Sequence, residues 1–184
     1  MIADKDRAGW FGASDTDKIV GNWKTDTFAK WWVQKIGINR DHFDNKYTMA
    51  GTHYEHRILD SLGIPMEFDK QITISDLLLR VNLDGNTEEC IYECKTYKAA
   101  NGFKMPRKYI NQVQVQMFAA RIYQAKIVAY GLTDADYDNY FNEIDGERRS
   151  VFDIAYDEKW VREVYIPKLT LLAECLKEGR FPCE

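Results

Sequence analysis

The stretch that decides the fold is LLLRVNLDGNTEECIYECKTY, which covers residues 77–97. Apolar residues recur at every second position up to Leu83, which is the period-two pattern of a β-strand with one buried face. Asp84 and Gly85 then predict a turn, because this dipeptide commonly joins two strands. The chain resumes as a strand over residues 90–97. The stretch therefore predicts two adjoining strands of one sheet.

Three chemically active side chains fall within this pair of strands. Asp84 lies where the first strand ends, and Glu93 and Lys95 share one face of the second because side chains alternate along a strand. The two carboxylates can therefore converge, and Mg²⁺ typically takes one or two carboxylates together with water. The backbone carbonyl of Cys94 offers a further oxygen. Lys95 can orient or deprotonate a water molecule, or stabilise charge on phosphorus.

Each of these residues also has a purely structural interpretation. Asp84 with Gly85 is a common hairpin turn, and Glu93 with Lys95 can be an ordinary pair on an exposed strand. Short motifs often match by chance, so spacing alone leaves both interpretations open.

The segments around this stretch predict helices on both sides of a sheet. Apolar residues recur at helical spacing before and after it, and Gly or Pro residues mark several of the ends. The predicted elements are helices at 25–36, 48–62, 106–124 and after Asp157, with a strand at 126–130. This order predicts an α/β fold with a mixed central sheet flanked by helices, in a single domain of residues 1–184.

Glu55 lies within the predicted helix 48–62 in an unusual position. It precedes Ile58 and Leu59 by three and four residues, so it projects from the apolar face of that helix. A carboxylate on such a face requires a partner. The alternative is a glutamate at the edge of the apolar stripe that reaches solvent.

The pattern D-x8-E-x-K formed by Asp84, Glu93 and Lys95 resembles the core of the PD-(D/E)xK nucleases. The helix that follows reads YINQVQVQM at residues 109–117. It resembles the Y-x-x-Q-V-Q-x-x-M helix of the phage lambda-type exonucleases, the YqaJ-like viral recombinase family. Shorter likenesses to that family are Arg7 with WFGASD at 10–15, G-x-x-x-E at 51–55 and DEKW at 157–160.

The resemblance implies a role for each matched residue of the core. Asp84 and Glu93 match the metal-binding acids, and Lys95 matches the catalytic lysine. Glu55 matches a helix glutamate that approaches the metal site and is a further candidate ligand. Gln112 matches a helix glutamine that supports the active site. One departure is Leu83, which stands where the family has a proline.

Three residues outside this core are also matched. Arg7 and Ser14 match residues that hold the 5′ phosphate of the DNA end, and Tyr109 precedes Gln112 as it does in the family. From the residues alone, Ser14 is a candidate N-cap of a short helix, and Arg7 can be a solvated surface charge. Without the resemblance those two structural interpretations are preferred.

Charge is distributed unevenly along the chain. The net charge is −4, but residues 95–133 contain no Asp or Glu. Basic residues there are Lys95, Lys98, Lys104, Arg107, Lys108, Arg121 and Lys126. A basic segment in an acidic protein is a candidate contact for a polyanion, and the alternative is a solvated face. Lys98, Lys104, Arg107 and Lys108 are predicted to contact the DNA backbone.

Cysteine spacing and hydropathy limit the other classes of protein. Cysteines at 90, 94, 175 and 183 match neither a zinc pattern nor an iron–sulfur nuclease, which indicates reduced thiols. No apolar run predicts a signal peptide or a membrane span. We therefore expect a cytoplasmic protein of a bacterium or a phage-infected cell, with no membrane partner.

The function that the resemblance implies is a Mg²⁺-dependent exonuclease, with Mn²⁺ as a substitute, on a restriction-endonuclease-like fold. It would digest linear double-stranded DNA from 5′ to 3′ and leave single-stranded overhangs for phage-type recombination. The implied partners are duplex DNA ends, a single-strand annealing protein and further copies of the chain in a trimeric ring. The alternatives are an endonuclease or Cas4-like nuclease on the same core, and a DNA-binding module without catalysis.

Overall fold

The computed structural model describes residues 8–38 and 46–182. The described helices are α1 (Thr16–Val20), α2 (Asp26–Lys35), α3 (Lys46–Asp60), α4 (Arg107–Ala120), α5 (Asp134–Asp138), α6 (Glu158–Trp160) and α7 (Ile166–Lys177). The strands are β1 (Glu67–Ile74), β2 (Leu79–Asn86), β3 (Ile91–Lys98), β4 (Gln124–Leu132) and β5 (Arg149–Ala155). No described helix combines the length and the apolar character needed to span a membrane.

The strands form one mixed sheet in the order β1-β2-β3-β4-β5. Neighbours are antiparallel except β3 and β4, which are parallel and are joined by the crossover helix α4. The larger core cluster contains residues of α1, α2, α4 and α7, and the smaller one lies under α3. The predicted α/β class, with a mixed sheet flanked by helices, is confirmed.

The turn predicted at Asp84 and Gly85 is wrong, because β2 continues through both residues to Asn86. The chain turns later, where the Thr87 amide donates to the Cys90 carbonyl at 2.9 Å. Gly85 serves packing instead. A Cβ atom there would lie 2.6 Å from the sulfur of Met66 and 3.1 Å from Cδ1 of Leu59, so glycine lets β2 lie close under these side chains.

The C-terminal part of the chain differs from the prediction in two places. Strand β5 was not predicted; it pairs with β4 at the edge of the sheet, and all of its residues are partly buried or exposed. The sequence predicts one helix after Asp157, and Pro167 within it favours a bend. The structure has a π-helical segment at Val161–Tyr165 directly before α7, and Pro167 follows in the first turn of α7, where its missing amide is tolerated.

Candidate active site

The sheet opens between β2 and β3. Within these strands, pairing covers only two positions, Gly85 with Tyr92 and Asn86 with Ile91. The next residues, Asp84 and Glu93, therefore border a gap in the ladder. The Cys94 amide does not stay unpaired, because it donates to Oδ2 of Asp84 at 2.8 Å. A side-chain carboxylate thus replaces a backbone carbonyl at the point where the strands diverge.

Strand β1 also changes course beside this gap. Ile72 and Ile74 pack with the larger core cluster, whereas Phe68 packs with the smaller one, although strict alternation would hold all three on one face. The reversal coincides with Asp69, whose φ of 57° lies in the left-handed region. Asp69 on β1 and Asp84 on β2 both lie between the same two paired positions. These positions are Phe68 with Gly85 and Lys70 with Leu83. The irregularity therefore borders the candidate site.

Glu93 is the centre of a buried hydrogen-bond network. Its side chain is 2% exposed and projects toward α4, since Ile91 on the same face belongs to the larger cluster. Oε1 accepts from Lys95 Nζ at 2.6 Å and from Gln112 Nε2 at 2.6 Å. Oε2 accepts from Gln116 Nε2. These three donors offset the cost of removing a carboxylate from water.

Glu55 approaches the same region from the other side of the sheet. Helix α3 crosses β3 closely at Gly51, where a Cβ would lie 3.3 Å from Oγ1 of Thr96. One turn later, Glu55 is half-buried. Its exposure is intermediate between the two alternatives left open by the sequence, a carboxylate on the apolar face and one that reaches solvent. Burial, followed by the charge of Glu93, raises the pKa of Glu55 to about 7. The glutamate on the apolar face therefore belongs to the electrostatic environment of the site.

Negative charge is in excess at this site. Removal from water, then the charges of Glu93 and Glu55, raise the pKa of Asp84 well above its usual range. His56 and then Lys95 lower the pKa of Glu55, and Lys95 also lowers that of Asp84. Burial opposes the charge of Lys95, but Glu93 and Asp84 outweigh it and raise its pKa. One ammonium facing three carboxylates leaves a site suited to a divalent cation.

The donor set fits Mg²⁺, which prefers oxygen ligands. Asp84 and Glu93 offer carboxylate oxygens at the gap, and Glu55 adds its charge from the α3 side. Each carboxylate oxygen accepts about two hydrogen bonds, so Lys95 and Gln112 fill Oε1 of Glu93, while Gln116 leaves one position on Oε2. Glu93 can therefore bind a metal through Oε2 without losing these partners.

Gln116 is a site residue that the sequence prediction missed. Its fully buried amide donates to Glu93 and to the carbonyl oxygen of Asn82 at 3.2 Å. Because Asn82 is on β2 and Glu93 on β3, Gln116 bridges the two strands on the α4 side of the gap. The available signal was helical spacing, since Tyr109, Gln112 and Gln116 occupy positions i, i+3 and i+7 of α4.

We expect Gln112→Ala and Gln116→Ala each to lower the rate of DNA cleavage by a factor of about 10–100, the usual effect of losing a group that orients a metal ligand. Each removes one donor to Glu93 and leaves its charge unchanged. The measurement is the cleavage rate at saturating metal. The exposed Gln124→Ala is the control. A wild-type rate in either variant would reduce that glutamine to a packing residue.

Tyr109 lies beside the lysine of the site. Its ring centroid is 5.0 Å from Nζ of Lys95 and 5.3 Å from Nζ of Lys108. Aromatic rings attract ammonium groups at this range, so Tyr109 helps to hold Lys95 near Glu93. This position agrees with the supporting role predicted for Tyr109, which stays a prediction.

The basic segment is partly neutralised by acids from elsewhere in the chain. Lys98 pairs with Asp134 at 2.8 Å, and Lys126 pairs with Asp153. These partners lie beyond the acid-free residues 95–133, so counting charge along the sequence overstated the positive surface. Lys104, Arg107 and Lys108 are exposed and remain the predicted contacts for a DNA backbone.

The predicted 5′-phosphate residues are placed only in part. Ser14 is exposed in a short 3-10 turn, Ala13–Asp15, that packs against α4 and β2. The predicted N-cap role of Ser14 is wrong, because the N-cap positions are Gly12 for the 3-10 turn and Asp15 for α1. Asp15 accepts from the Gly12 amide at 2.8 Å and forms a salt bridge with Lys35 at 2.6 Å. Arg7 lies outside the described residues.

Comparison with known proteins tests the fold. A scan of family models and a search of curated proteins find no match. Among solved structures, the chain is similar to an alkaline exonuclease from Laribacter hongkongensis, with 19% identity over 94% of both chains and a TM-score of 0.65. The same enzyme in complex with dAMP gives a TM-score of 0.72, with 18% identity over 94% of this chain and 90% of that one. A phage-related exonuclease from Haemophilus somnus gives a TM-score of 0.69, with 17% identity over 92% and 94%.

The fold is that of these exonucleases. The restriction-endonuclease-like architecture that the sequence resemblance implied is therefore confirmed. Cys90, Cys94 and Cys175 are buried, and the reduced state expected for the cysteines stays a prediction.

Proposed function

We propose that the chain is a metal-dependent deoxyribonuclease that digests linear duplex DNA from its ends. The observation that carries this proposal is the buried network around Glu93, in which Lys95, Gln112 and Gln116 all donate to one carboxylate beside Asp84. An ordinary surface ion pair requires none of this organisation. The shared fold of three exonuclease structures supports the same reaction class.

The proposed site would hold Mg²⁺ through Asp84 and Glu93, with the Cys94 carbonyl and Glu55 as further ligands. The metal would supply Lewis-acid stabilisation of the phosphate and a water of lowered pKa. The charges of Glu93 and Asp84 outweigh burial and raise the pKa of Lys95, which favours a protonated lysine that donates hydrogen bonds. It would orient the attacking water and stabilise negative charge on the phosphate oxygens.

The direction of digestion is the finer part of the proposal. We infer a 5′-to-3′ polarity from the sequence resemblance, which assigns Ser14 to a 5′-phosphate site. The position of Ser14 agrees with this, since it is exposed in a turn that packs on α4 and β2, the elements that carry Gln112 and Asp84. Stepwise digestion releases deoxynucleoside monophosphates, and one similar exonuclease was solved with dAMP. Overhangs, a trimeric ring, an annealing partner and a cytoplasmic location rest on the sequence resemblance.

Digestion of matched DNA substrates tests this proposal. We expect linear duplex DNA to be degraded in Mg²⁺ or Mn²⁺ and not in excess chelator, while the same DNA as a covalently closed circle stays intact. A linear duplex with a 5′ phosphate should be digested faster than one with a 5′ hydroxyl, and Arg7→Ala should remove most of that difference. The variant Glu93→Gln is the control for contaminating nuclease.

Other outcomes point to the alternatives. Cleavage of the closed circle favours an endonuclease, and DNA binding without cleavage under any metal favours a module that has lost catalysis. Digestion that begins at 3′ ends, or equal rates with 5′ phosphate and 5′ hydroxyl, contradicts the phosphate site at Arg7 and Ser14 and leaves the metal-dependent nuclease standing.

Metal affinity should depend on pH near neutrality. The pKa of Glu55 is raised to about 7 and that of Asp84 is also raised, so both carboxyls bind protons in the metal-free protein. Metal must displace these protons, and its affinity should fall by up to about tenfold per pH unit and proton as pH drops below 7. Calorimetric titration in two buffers of different ionisation enthalpy measures the released protons. A metal affinity that stays constant from pH 8 to pH 6 would contradict metal binding by Glu55 and Asp84.

A further inference from the structure

A second group of metal-binding side chains lies beside the candidate active site. Glu55 and His56 on α3 and Asp69 on β1 each offer one ligand atom, and these atoms all lie within 4.8 Å of one another. Nε2 of His56 is 3.2 Å from Oδ2 of Asp69. Their side chains are 42% and 24% exposed, so an ion can enter from solvent.

We propose that Glu55, His56 and Asp69 bind a first-row transition-metal dication, separately from the Mg²⁺ at Asp84 and Glu93. One imidazole and two carboxylates make a mixed nitrogen and oxygen set, which suits Zn²⁺ or Mn²⁺. Mg²⁺ prefers oxygen ligands and keeps its waters, so it does not favour this set. Three protein ligands would leave the remaining coordination positions to water.

The fold positions the three ligands from two directions. The His56 ring packs on Phe68, with ring centroids 4.8 Å apart, and this contact limits the orientations open to the imidazole. Phe68 directly precedes Asp69, whose left-handed backbone occurs where β1 reverses its faces. The strand thus supplies both the surface on which His56 rests and the carboxylate that faces its Nε2.

The second site would share Glu55 with the candidate active site. Glu55 is a proposed further ligand of the Mg²⁺ site, while its carboxylate also lies near His56 and Asp69. A carboxylate has two oxygens and can bridge two cations or choose between them. Occupancy of the second site would therefore change the affinity of the first for Mg²⁺. That coupling rests on the proposed function, whereas the existence of the second site does not.

The test uses the full chain in excess Mg²⁺, with Zn²⁺ as the calorimetric probe and Mn²⁺ as the spectroscopic one. We expect one Zn²⁺ site that is weakened about tenfold or more in His56→Ala and in Asp69→Asn. His53→Ala is the matched control, since His53 is an exposed histidine of the same helix that stacks on Tyr140. Equal Zn²⁺ affinity in wild type and both cluster variants would overturn the proposal.

Pulsed electron paramagnetic resonance of bound Mn²⁺ separates the two sites. Among the ligands proposed for the active site there is no nitrogen, so a ¹⁴N coupling reports His56. We expect this coupling in wild type and in Asp84→Asn, and its loss in His56→Ala. A coupling that disappears in Asp84→Asn would show that the second site does not exist independently. If it persists there while the wild-type chain itself lacks nuclease activity in Mg²⁺ and in Mn²⁺, the second site stands and the proposed function fails.

Discussion

Substitution of either core acid by its amide should lower DNA cleavage by a factor of about 10³ or more, because each amide removes a charged metal ligand. In Asp84→Asn the remaining carbonyl oxygen still accepts from the Cys94 amide, so the link between β2 and β3 is retained. Glu93→Gln likewise keeps the size of the side chain and one acceptor oxygen for Lys95 and Gln112, while Gln116 loses its acceptor. The effect should therefore fall on chemistry more than on folding.

The measurement is the initial rate on linear duplex DNA at saturating Mg²⁺, together with metal affinity and thermal unfolding. Both variants should bind metal more weakly and unfold cooperatively. Glu88→Gln is the matched control, since Glu88 is an exposed acid in the turn of the same hairpin. Wild-type rates in Asp84→Asn or Glu93→Gln would exclude these carboxylates as the metal site, as would full activity in excess chelator.

The sequence could predict what depends on local pattern. Strand alternation placed Glu93 and Lys95 on one face and Cys94 on the other, and helical spacing placed Glu55 on the apolar side of α3. Both follow from the fixed periods of regular structure. Local pattern therefore showed which faces these acids share, while their assignment to a metal site came from the family resemblance and stays a prediction.

Features that depend on distant contacts were not predictable in this way. The pair Asp84-Gly85 is typical of a turn, but the close approach of Gly85 to Met66 and Leu59 keeps it within β2. Lys98 was predicted to contact the DNA backbone from its place in a basic segment, but the fold brings Asp134 beside it. The left-handed Asp69 has no local signal at all. In each case a contact between separate elements overrides the preference of the local sequence.

Gln116 was predictable only in part. Its position on the face of Tyr109 and Gln112 was visible from helical spacing, but its role depends on the gap between β2 and β3. Beyond the two paired positions of these strands the ladder is open, and no residue pattern signals where the pairing stops. The sequence can thus indicate which face of α4 approaches the site without indicating how far along the helix the contacts extend.

Lys95→Ala should remove turnover, by a factor of about 10²–10³, and leave metal binding intact. Lys95 is a donor to Glu93 and holds a positive charge among three carboxylates, so it is not itself a ligand. Its loss frees a position on Oε1 of Glu93 and removes a repulsive charge. We therefore expect metal affinity to stay equal or to rise while the cleavage rate falls. The loss of rate would reflect a lost positive charge, since Lys95 is not proposed as a general base.

This opposite movement of rate and affinity separates a charge that stabilises the phosphate from a residue that only maintains the site. Single-turnover cleavage gives the rate, and calorimetric titration gives the metal affinity. Lys30→Ala, an exposed lysine on α2, is the control. If Lys95→Ala lost metal affinity together with rate, the lysine would be acting through the arrangement of Glu93, and the stabilisation of charge on phosphorus would have to come from Gln112 or from the metal alone.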